Sequence, residues 1–228
     1  MSNLEFVQFP SVTNANNDGL LAMGGDLNSN TLVSAYSQGI FPWFSDDQPL
    51  LWWSPDPRMV LFPKQVKVSR SLNKTLRQQK LKVSYNKCFD EVINACALRG
   101  EQNPLKPSAE TWITDEMETA YTTLHLQGYA HSVEVWLNSE LVGGLYGVAL
   151  GNVFFGESMF SRVSDASKVA LVHLCQGLDQ LGFSIIDCQV ASPHLFTLGA
   201  REIPRKAFME HLEHIDIQEK KLIFSPTP

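Results

Sequence analysis

The spacing of apolar and polar positions predicts an alternation of helices and strands through the later part of the chain. Helical periodicity marks four segments, at residues 89–98, 115–127, 165–181 and 205–214. Period-two alternation marks four strands, at residues 131–137, 140–149, 152–155 and 183–190. Two hairpin turns are expected at Asn138-Ser139 and Gly151-Asn152. The order of these elements predicts an α/β (α+β) fold in which a mixed sheet is flanked by helices.

The first 60 residues differ in character, since they are rich in Asn, Gly, Pro and Trp. One short helix is expected from about Asn30 to Gln38, closed by Gly39. The aromatic, proline-containing stretches at residues 41–44 and 51–58 favour rigid, non-helical loops. We therefore expect a small N-terminal domain at residues 1–62 and a larger domain at residues 63–228.

Basic residues are concentrated in one segment. Nine of them lie between Pro57 and Phe89 with no acidic residue among them: Arg58, Lys64, Lys67, Arg70, Lys74, Arg77, Lys80, Lys82 and Lys87. The other nine share the rest of the sequence with all 24 acids, so that part carries −15 while the whole chain carries −6. Such segregation is typical of a surface that binds a polyanion.

The centre of this segment, residues 69–79, has a helical pattern. Arg70, Lys74 and Arg77 fall on one face, with Leu72 and Leu76 opposite. A solvated surface helix and a phosphate-binding face are equally good interpretations of this stripe.

Several classes of protein are disfavoured by the sequence. The start lacks the basic and apolar stretches of a signal peptide, and no apolar run is long enough to span a bilayer, so we expect a soluble cytoplasmic protein. The four cysteines lack Cys-x-x-Cys spacing and are interpreted as thiols, and the six histidines lack metal-ligand spacing. Ser158 lacks the second glycine of a Gly-x-Ser-x-Gly elbow, which disfavours a serine hydrolase.

A lone carboxylate, Glu157, follows a strand-like run that contains several glycines. Glycine weakens a strand unless something approaches its backbone closely. A carboxylate beside Phe154, Phe155 and Met159 also needs a hydrogen-bonding partner. We interpret residues 141–168 as one wall of a binding site. Lys168, at the start of the helix that follows, fits either an anion site at that helix end or a capped helix with a solvated lysine.

A second polar pair lies in the strand at residues 183–190. The period of two places Ile185, Asp187 and Gln189 on one face. Because a buried carboxylate must be hydrogen-bonded, the pair is either a structural network or the polar floor of a pocket. The sequence leaves both alternatives open.

Many ordered blocks resemble the leucyl/phenylalanyl-tRNA–protein transferase family over nearly the whole chain. They include Gly156-Glu-Ser-Met-Phe-Ser161 and Ile186-Asp-Cys-Gln189. The full set is residues 19–27, 35–36, 39–44, 51–58, 69–71, 111–113, 131–132, 134–136, 141–144, 146–148, 156–161, 166–168, 186–189 and 198–200. The resemblance implies that the larger domain has an acetyltransferase-like (GNAT-type) fold.

The same resemblance implies an aminoacyltransferase. It would move Leu or Phe, and less readily Met, from aminoacyl-tRNA to the N-terminal α-amine of proteins that start with Arg or Lys, which marks them for degradation under the N-end rule. A monomer in the cytoplasm is expected, without a membrane partner. No cofactor or metal is expected, because the ester to tRNA is already an activated acyl donor.

The resemblance also implies roles for individual residues. Trp43 and Trp112 would contact the terminal adenosine, and Asp187, Gln189 and Glu157 would be catalytic, with Gln189 orienting the amine and Asp187 fixing the Gln189 amide. An apolar pocket for the aminoacyl side chain would be lined by Leu145, Phe154, Met159, Leu174, Leu178 and Ile186. Phosphates of the tRNA would be held by Arg70, Lys74, Arg77 and Lys80.

Two alternatives compete with this interpretation. A CoA-dependent acyltransferase fits the fold, but residues 161–168 contain no glycine for a pyrophosphate-binding loop. A non-catalytic RNA-binding module would explain the basic stripe, but not a polar pair beside an apolar pocket.

Overall fold

The computed structural model describes residues 4–45, 47–98 and 113–218. A small antiparallel sheet is formed near the N-terminus by β1 (Leu20–Met23), β2 (Phe41–Pro42) and β3 (Leu51–Trp53), in the order β1-β3-β2. Helix α1 (Ser29–Ser37) connects β1 to β2; the Asn28 side chain caps its start, and Gly39 follows its end in the left-handed conformation, with φ of 74°. The predicted helix is therefore confirmed.

A mixed seven-stranded sheet forms the centre of the molecule. Its order is β10-β4-β9-β8-β7-β6-β5, and β8 and β9 are its parallel pair. The strands are β4 (Arg58–Leu61), β5 (Lys82–Tyr85), β6 (Ala130–Leu137), β7 (Glu140–Leu150), β8 (Val153–Ser161), β9 (Ile185–Gln189) and β10 (Arg201–Ile203).

Helices cover both faces of this sheet, which confirms the predicted architecture. They are α2 (Arg70–Gln78), α3 (Phe89–Ala97), α4 (Asp115–Leu126), α5 (Ala166–Gln180), α6 (Pro193–Thr197) and α7 (Arg205–Glu210), with short 3₁₀ turns at Val12–Asn14 and Pro63–Gln65. One core contains side chains of α1, α3 and α4 with Phe155 and Ile185. The other contains side chains of α2 and α5 with Phe154 and Ile186. Successive residues of a strand therefore pack into opposite cores.

The expectation of loops at residues 41–44 and 51–58 is wrong in part, because β2, β3 and the start of β4 lie there. Pro42 fits because β2 is an edge strand, where a missing N–H is tolerated. The strand predicted at residues 152–155 continues to Ser161, and the last predicted helix ends at Glu210 rather than at His214. The 62/63 domain boundary stays a prediction, although β4 already lies in the large sheet.

Close contacts within the protein explain two of the glycines in the strands. A Cβ on Gly147 would lie 2.2 Å from the Phe155 carbonyl oxygen, and one on Gly143 would lie 2.5 Å from the Ala166 Cβ. Gly143 thus lets α5 approach β7, and Gly147 lets β7 and β8 pack closely. At Gly156 a Cβ would meet its nearest neighbour, the Asp187 carbonyl oxygen, at an ordinary 3.5 Å. Gly143 and Gly147 are therefore explained by close packing, whereas Gly156 is not.

Candidate active site

A cavity of about 470 Å³ lies where the parallel strands β8 and β9 separate. Their ladder joins Val153–Phe155 of β8 to Ile185–Asp187 of β9 and ends at the Phe155–Asp187 pair. Beyond that pair, Glu157 and Gln189 face each other across the gap, where Gln189 Nε2 donates to Glu157 Oε1 at 3.1 Å. The cavity therefore has a polar end built from two adjacent strands.

The direction of the Glu157 side chain is set by a β-bulge. Tyr146 of β7 pairs with Ser158, while the next residue, Gly147, pairs with Gly156, so Glu157 is the extra residue of β8. A bulge locally bends a strand and redirects its side chains. The Glu157 carboxyl thereby meets two tyrosines from different helices: the Tyr36 hydroxyl lies 2.7 Å from Oε1 and the Tyr121 hydroxyl 3.1 Å from Oε2.

The electrostatic surroundings of Glu157 are those of an acid–base group. Desolvation by burial raises the pKa of its carboxyl to about 7, and the nearby Asp187 charge acts in the same direction. Hydrogen bonds from Tyr36, Tyr121 and Gln189 oppose this by favouring the ionised form. Among the ion pairs of the described residues, none involves Glu157. A carboxyl whose pKa lies near neutrality can both take and release a proton under working conditions.

Asp187 is in a very different state, because it forms a bidentate salt bridge. Arg58 Nε donates to Oδ1 at 2.8 Å and Nη2 to Oδ2 at 2.7 Å, and both side chains are fully buried. The guanidinium lies over the rings of Phe41 and Phe208, 4.8 and 4.7 Å from their centroids. Arg58 therefore does not contribute to the basic surface, to which the sequence pattern assigned it.

Asp187 also sets the backbone of Gln189. Its Oδ1 accepts a hydrogen bond from the Gln189 N–H at 2.9 Å, and Gln189 has a φ of 62°, in the left-handed region. Such strain in a residue other than glycine requires a surrounding structure that fixes it. Asp187 thus holds the main chain of Gln189, while Glu157 accepts from its amide, which corrects the expectation that Asp187 fixes the amide itself. With Nε2 facing Glu157, the amide oxygen is the acceptor left for a ligand.

The remainder of the cavity is largely apolar. Five of the predicted pocket residues line it: Leu145, Phe154, Met159, Leu174 and Ile186. Leu178 lies in the adjoining core and is fully buried. Sequence reasoning missed Phe41, Leu171 and Leu195, which also line the wall; strand or helix position alone does not show that these residues converge.

The two tryptophans assigned to the terminal adenosine have different outcomes. Trp43 lines the cavity and is 43% exposed, with its ring 5.9 Å from that of Trp53. Trp112 lies outside the residues that the structure describes.

The basic stripe lies on the surface. Arg70, Lys74 and Arg77 are exposed on α2, and Lys80 is exposed just beyond it. Leu72, on the opposite side of α2, is buried in the core that α5 shares. At the start of α5, Lys168 Nζ lies 3.1 Å from Asp165 Oδ1. A carboxylate at that helix end disfavours an anion site there.

The described residues also bear on the expectations about membrane-spanning helices, metal-binding clusters and disulfides. In the part of the chain that the structure describes, no helix has the length and apolar character needed to cross a membrane. Within the same part, no cluster of three or more His, Cys, Asp or Glu side chains is arranged to hold a metal ion. All four cysteines are free thiols, with Cys96 and Cys175 buried.

Family models and curated relatives match this chain over most of its length. The family model described as leucyl/phenylalanyl-tRNA protein transferase matches residues 60–213, and the model of that family's N-terminal domain matches residues 25–56. A leucyl/phenylalanyl-tRNA–protein transferase of Nitrosospira multiformis is 58% identical over 198 residues, covering 87% of this chain and 83% of the relative. One from Aromatoleum aromaticum is 57% identical over 202 residues, covering 88% and 83%.

Solved structures give more distant likenesses. A GNAT-family acetyltransferase from Staphylococcus aureus Mu50 has 16% identity and a TM-score of 0.36, over 46% of this chain and 70% of that one. A GCN5-related N-acetyltransferase from Kribbella flavida has 11% identity and a TM-score of 0.40, over 77% and 61%. Likenesses at this level carry no information on activity, whereas the matching family models and the relatives above 50% identity do. The chain belongs to the leucyl/phenylalanyl-tRNA–protein transferase family and is an aminoacyltransferase.

Proposed function

We propose that this enzyme transfers Leu or Phe, and less readily Met, from aminoacyl-tRNA to the N-terminal α-amine of proteins that start with Arg or Lys. The products are substrates for N-end rule degradation in the cytoplasm, and the enzyme acts as a monomer. The names of its relatives support the tRNA-linked Leu and Phe donors and a protein acceptor.

The observation that carries this proposal is an apolar cavity with an acid–amide pair at its polar end. Its volume of about 470 Å³ is within the usual range for small-ligand sites. Leu145, Phe154 and Leu174 offer no hydrogen bond to a polar side chain, so apolar aminoacyl groups are favoured. Because one methylene in such a pocket is worth only about 1–3 kcal/mol, some transfer of Met is expected.

The polar end supplies groups for aminolysis of the ester. An α-amine with a pKa of about 7.7–8.0 is mostly protonated at neutral pH and must lose a proton to attack. In the proposed mechanism the ammonium first releases one proton to solvent, and the Gln189 amide oxygen orients the resulting neutral amine. Glu157 takes a second proton from its nitrogen as it attacks. The C–N bond forms, the ester C–O bond breaks, and the proton that Glu157 took passes to the leaving ribose oxygen. Asp187 and Arg58 act as positioning residues through the Gln189 backbone.

The two substrates would approach different surfaces. Exposed Arg70, Lys74 and Arg77 fit the phosphates of the tRNA acceptor stem, and Trp43 fits a stacked terminal base. The strongly negative charge of the sequence outside the basic segment favours an acceptor with a cationic first residue.

The proposal is tested with labelled Phe-tRNA and two peptides that differ only in their first residue. Label is expected in the Arg-initiated peptide and not in the Glu-initiated one. Equal labelling of both would contradict the acceptor specificity. Turnover of acetyl-CoA without transfer from Phe-tRNA would favour the CoA-dependent alternative, and binding of tRNA without turnover would favour an RNA-binding module.

The proposed role of the basic stripe (Arg70, Lys74 and Arg77) leads to a prediction about salt dependence. The double variant Lys74→Glu/Arg77→Glu should raise the KM for Phe-tRNA and leave kcat nearly unchanged, because phosphate contacts position the substrate without joining the chemistry. The slope of log KM against log salt should fall by about one for each phosphate interaction that the substitutions remove. Arg201→Glu/Lys206→Glu, which makes the same change in net charge at two exposed positions on β10 and α7, is the matched control and should leave that slope unaltered. Equal effects in the two variants would show that only net charge matters.

A further inference from the structure

Three oxygen-bearing groups meet at Glu157, which lines the polar end of the cavity: its carboxyl and, buried behind it, the hydroxyls of Tyr36 and Tyr121. The two hydroxyls are in hydrogen-bonding contact with each other. Each also contacts a different carboxyl oxygen, at 2.7 Å for Tyr36 and 3.1 Å for Tyr121. Both tyrosines are fully buried, so water does not complete these contacts from outside. The groups form a closed ring of three contacts, which we call the tyrosine–glutamate cluster.

Counting hydrogens determines the state in which this cluster is complete. Each of its three contacts needs one hydrogen, and the two hydroxyls supply only two. If Glu157 is ionised, one contact places two lone pairs against each other. If Glu157 carries a proton, every contact has one donor and one acceptor. The Gln189 amide does not alter the count, because Nε2 brings its own hydrogen to Oε1.

The groups packed around Glu157 keep this third proton exchangeable. Tyr36 faces it from α1, Tyr121 from α4, Tyr146 from β7, and Asp187 and Gln189 from β9. Burial and the Asp187 charge favour the neutral carboxyl, whereas the hydrogen bonds from Tyr36, Tyr121 and Gln189 favour the ionised one. The opposing effects leave the pKa of Glu157 at about 7. The proton is therefore held at slightly acidic pH and released at slightly alkaline pH.

We propose that Tyr36 and Tyr121 are positioning residues that share three protons with Glu157 in the resting enzyme, so that the carboxyl must release its own proton before it can accept one from the attacking amine. This inference rests on the proposed function. The released proton goes to solvent. The ionised carboxyl then takes a proton as the C–N bond forms and passes it to the ribose oxygen as the ester bond breaks. The two hydroxyls remain as donors that hold the carboxylate in place.

A titration of the Glu157 carboxyl by carbon-13 NMR tests the cluster without relying on activity. The signal is assigned by its absence in Glu157→Gln. In the wild-type protein its midpoint should lie near neutral pH. In Tyr36→Phe and in Tyr121→Phe the midpoint should move downward. Each variant removes one donor to the carboxylate, but it also removes the contact that lacks a hydrogen when Glu157 is ionised and two of the three hydrogen bonds that complete the neutral cluster.

Tyr146→Phe is the matched control for this titration. Tyr146 is equally buried and faces Glu157, but among the described residues its hydroxyl has no hydrogen-bond partner. The midpoint of the Glu157 titration in Tyr146→Phe should therefore equal that in the wild type. The proposal is overturned by a carboxyl already ionised well below neutrality in the wild type, or by a midpoint that is unchanged or moves upward in both Tyr36→Phe and Tyr121→Phe.

Transfer kinetics connect the cluster to catalysis. With Phe-tRNA and an Arg-initiated peptide, the acidic limb of kcat/KM should move to lower pH in Tyr36→Phe and Tyr121→Phe. The ionisation of the peptide amine is common to all variants, so a difference between variants reports the enzyme. A limb that stays fixed while the NMR midpoint moves overturns the role of Glu157 as acceptor. Absence of transfer by the wild type contradicts the proposed function instead, and the titration still decides the state of the cluster.

Discussion

Replacement of Arg58 by methionine is expected to destabilise the protein by about 3–5 kcal/mol and to abolish aminoacyl transfer. Arg58 is fully buried, and both oxygens of Asp187 accept its hydrogen bonds. Without it, Asp187 is left as an unpaired buried carboxylate, which is among the most costly defects in a protein interior. Chemical denaturation measures the change in stability, and single-turnover transfer measures the loss of activity.

A second substitution separates stability from function. The double variant Arg58→Met/Asp187→Leu removes both charges, and replacing a buried ion pair by apolar residues is often neutral for stability. It should recover most of the lost stability but no activity, because the Gln189 N–H then has no acceptor at this position. Recovery of transfer together with stability would contradict a positioning role. Arg201→Met is the matched control: it removes an exposed arginine from the face of Phe62 and should cost about 1 kcal/mol or less.

Substitution of Glu157 by glutamine is expected to lower kcat by about 10²–10⁴-fold, the usual range for a general acid–base group. The apparent KM for Phe-tRNA should change little, because the substitution leaves the apolar wall of the cavity and the basic stripe intact. Glutamine keeps the size of the side chain and its acceptor oxygen but cannot take a proton. An equal loss of activity in Glu210→Gln, an exposed control on α7, would show that the effect is not local to the cavity.

The same substitution should change how stability depends on pH. The pKa of Glu157 rises from 4.5 to about 7 on folding, so the folded state binds the proton more tightly. The ionised carboxyl therefore costs no stability below about pH 4.5, a growing amount up to about pH 7, and the full amount above it. Glu157→Gln should be more stable than the wild type at alkaline pH and should lack this dependence. Parallel stability–pH curves for the two proteins would contradict the assigned environment.

Local signals in the sequence were sufficient for much of the fold. Gly39 marks the end of α1, whose start was predicted at about Asn30 and lies at Ser29, and the alternation of apolar positions marks the central strands. The short strands β2 and β3 were not predicted, because the prolines and tryptophans near them are equally compatible with rigid loops. Their pairing depends on partners elsewhere in the sequence, which local propensity does not encode.

The two acidic residues of the site could be predicted from the sequence, but their hydrogen-bonding partners could not. Glu157 stands out as a lone carboxylate among aromatic residues, yet its two tyrosines are 121 and 36 residues away in the chain. Arg58 was assigned to the basic surface because a count of charges does not show burial; its partner Asp187 lies 129 residues away. At Gln189 the left-handed backbone ends the strand alternation, which a period-two pattern cannot anticipate.

The central claim is that acyl transfer takes place where β8 and β9 separate, at the Glu157–Gln189 pair. The most direct measurement is the single-turnover rate of label transfer from Phe-tRNA to an Arg-initiated peptide, by the wild type and by Gln189→Leu. We predict transfer by the wild type, and a large loss of rate in the variant with Phe-tRNA binding retained. The substitution removes the amine-orienting oxygen and the Nε2 donor to Glu157 but leaves the apolar wall and the basic stripe untouched. Wild-type transfer that proceeds at the same rate in Gln189→Leu would contradict the account.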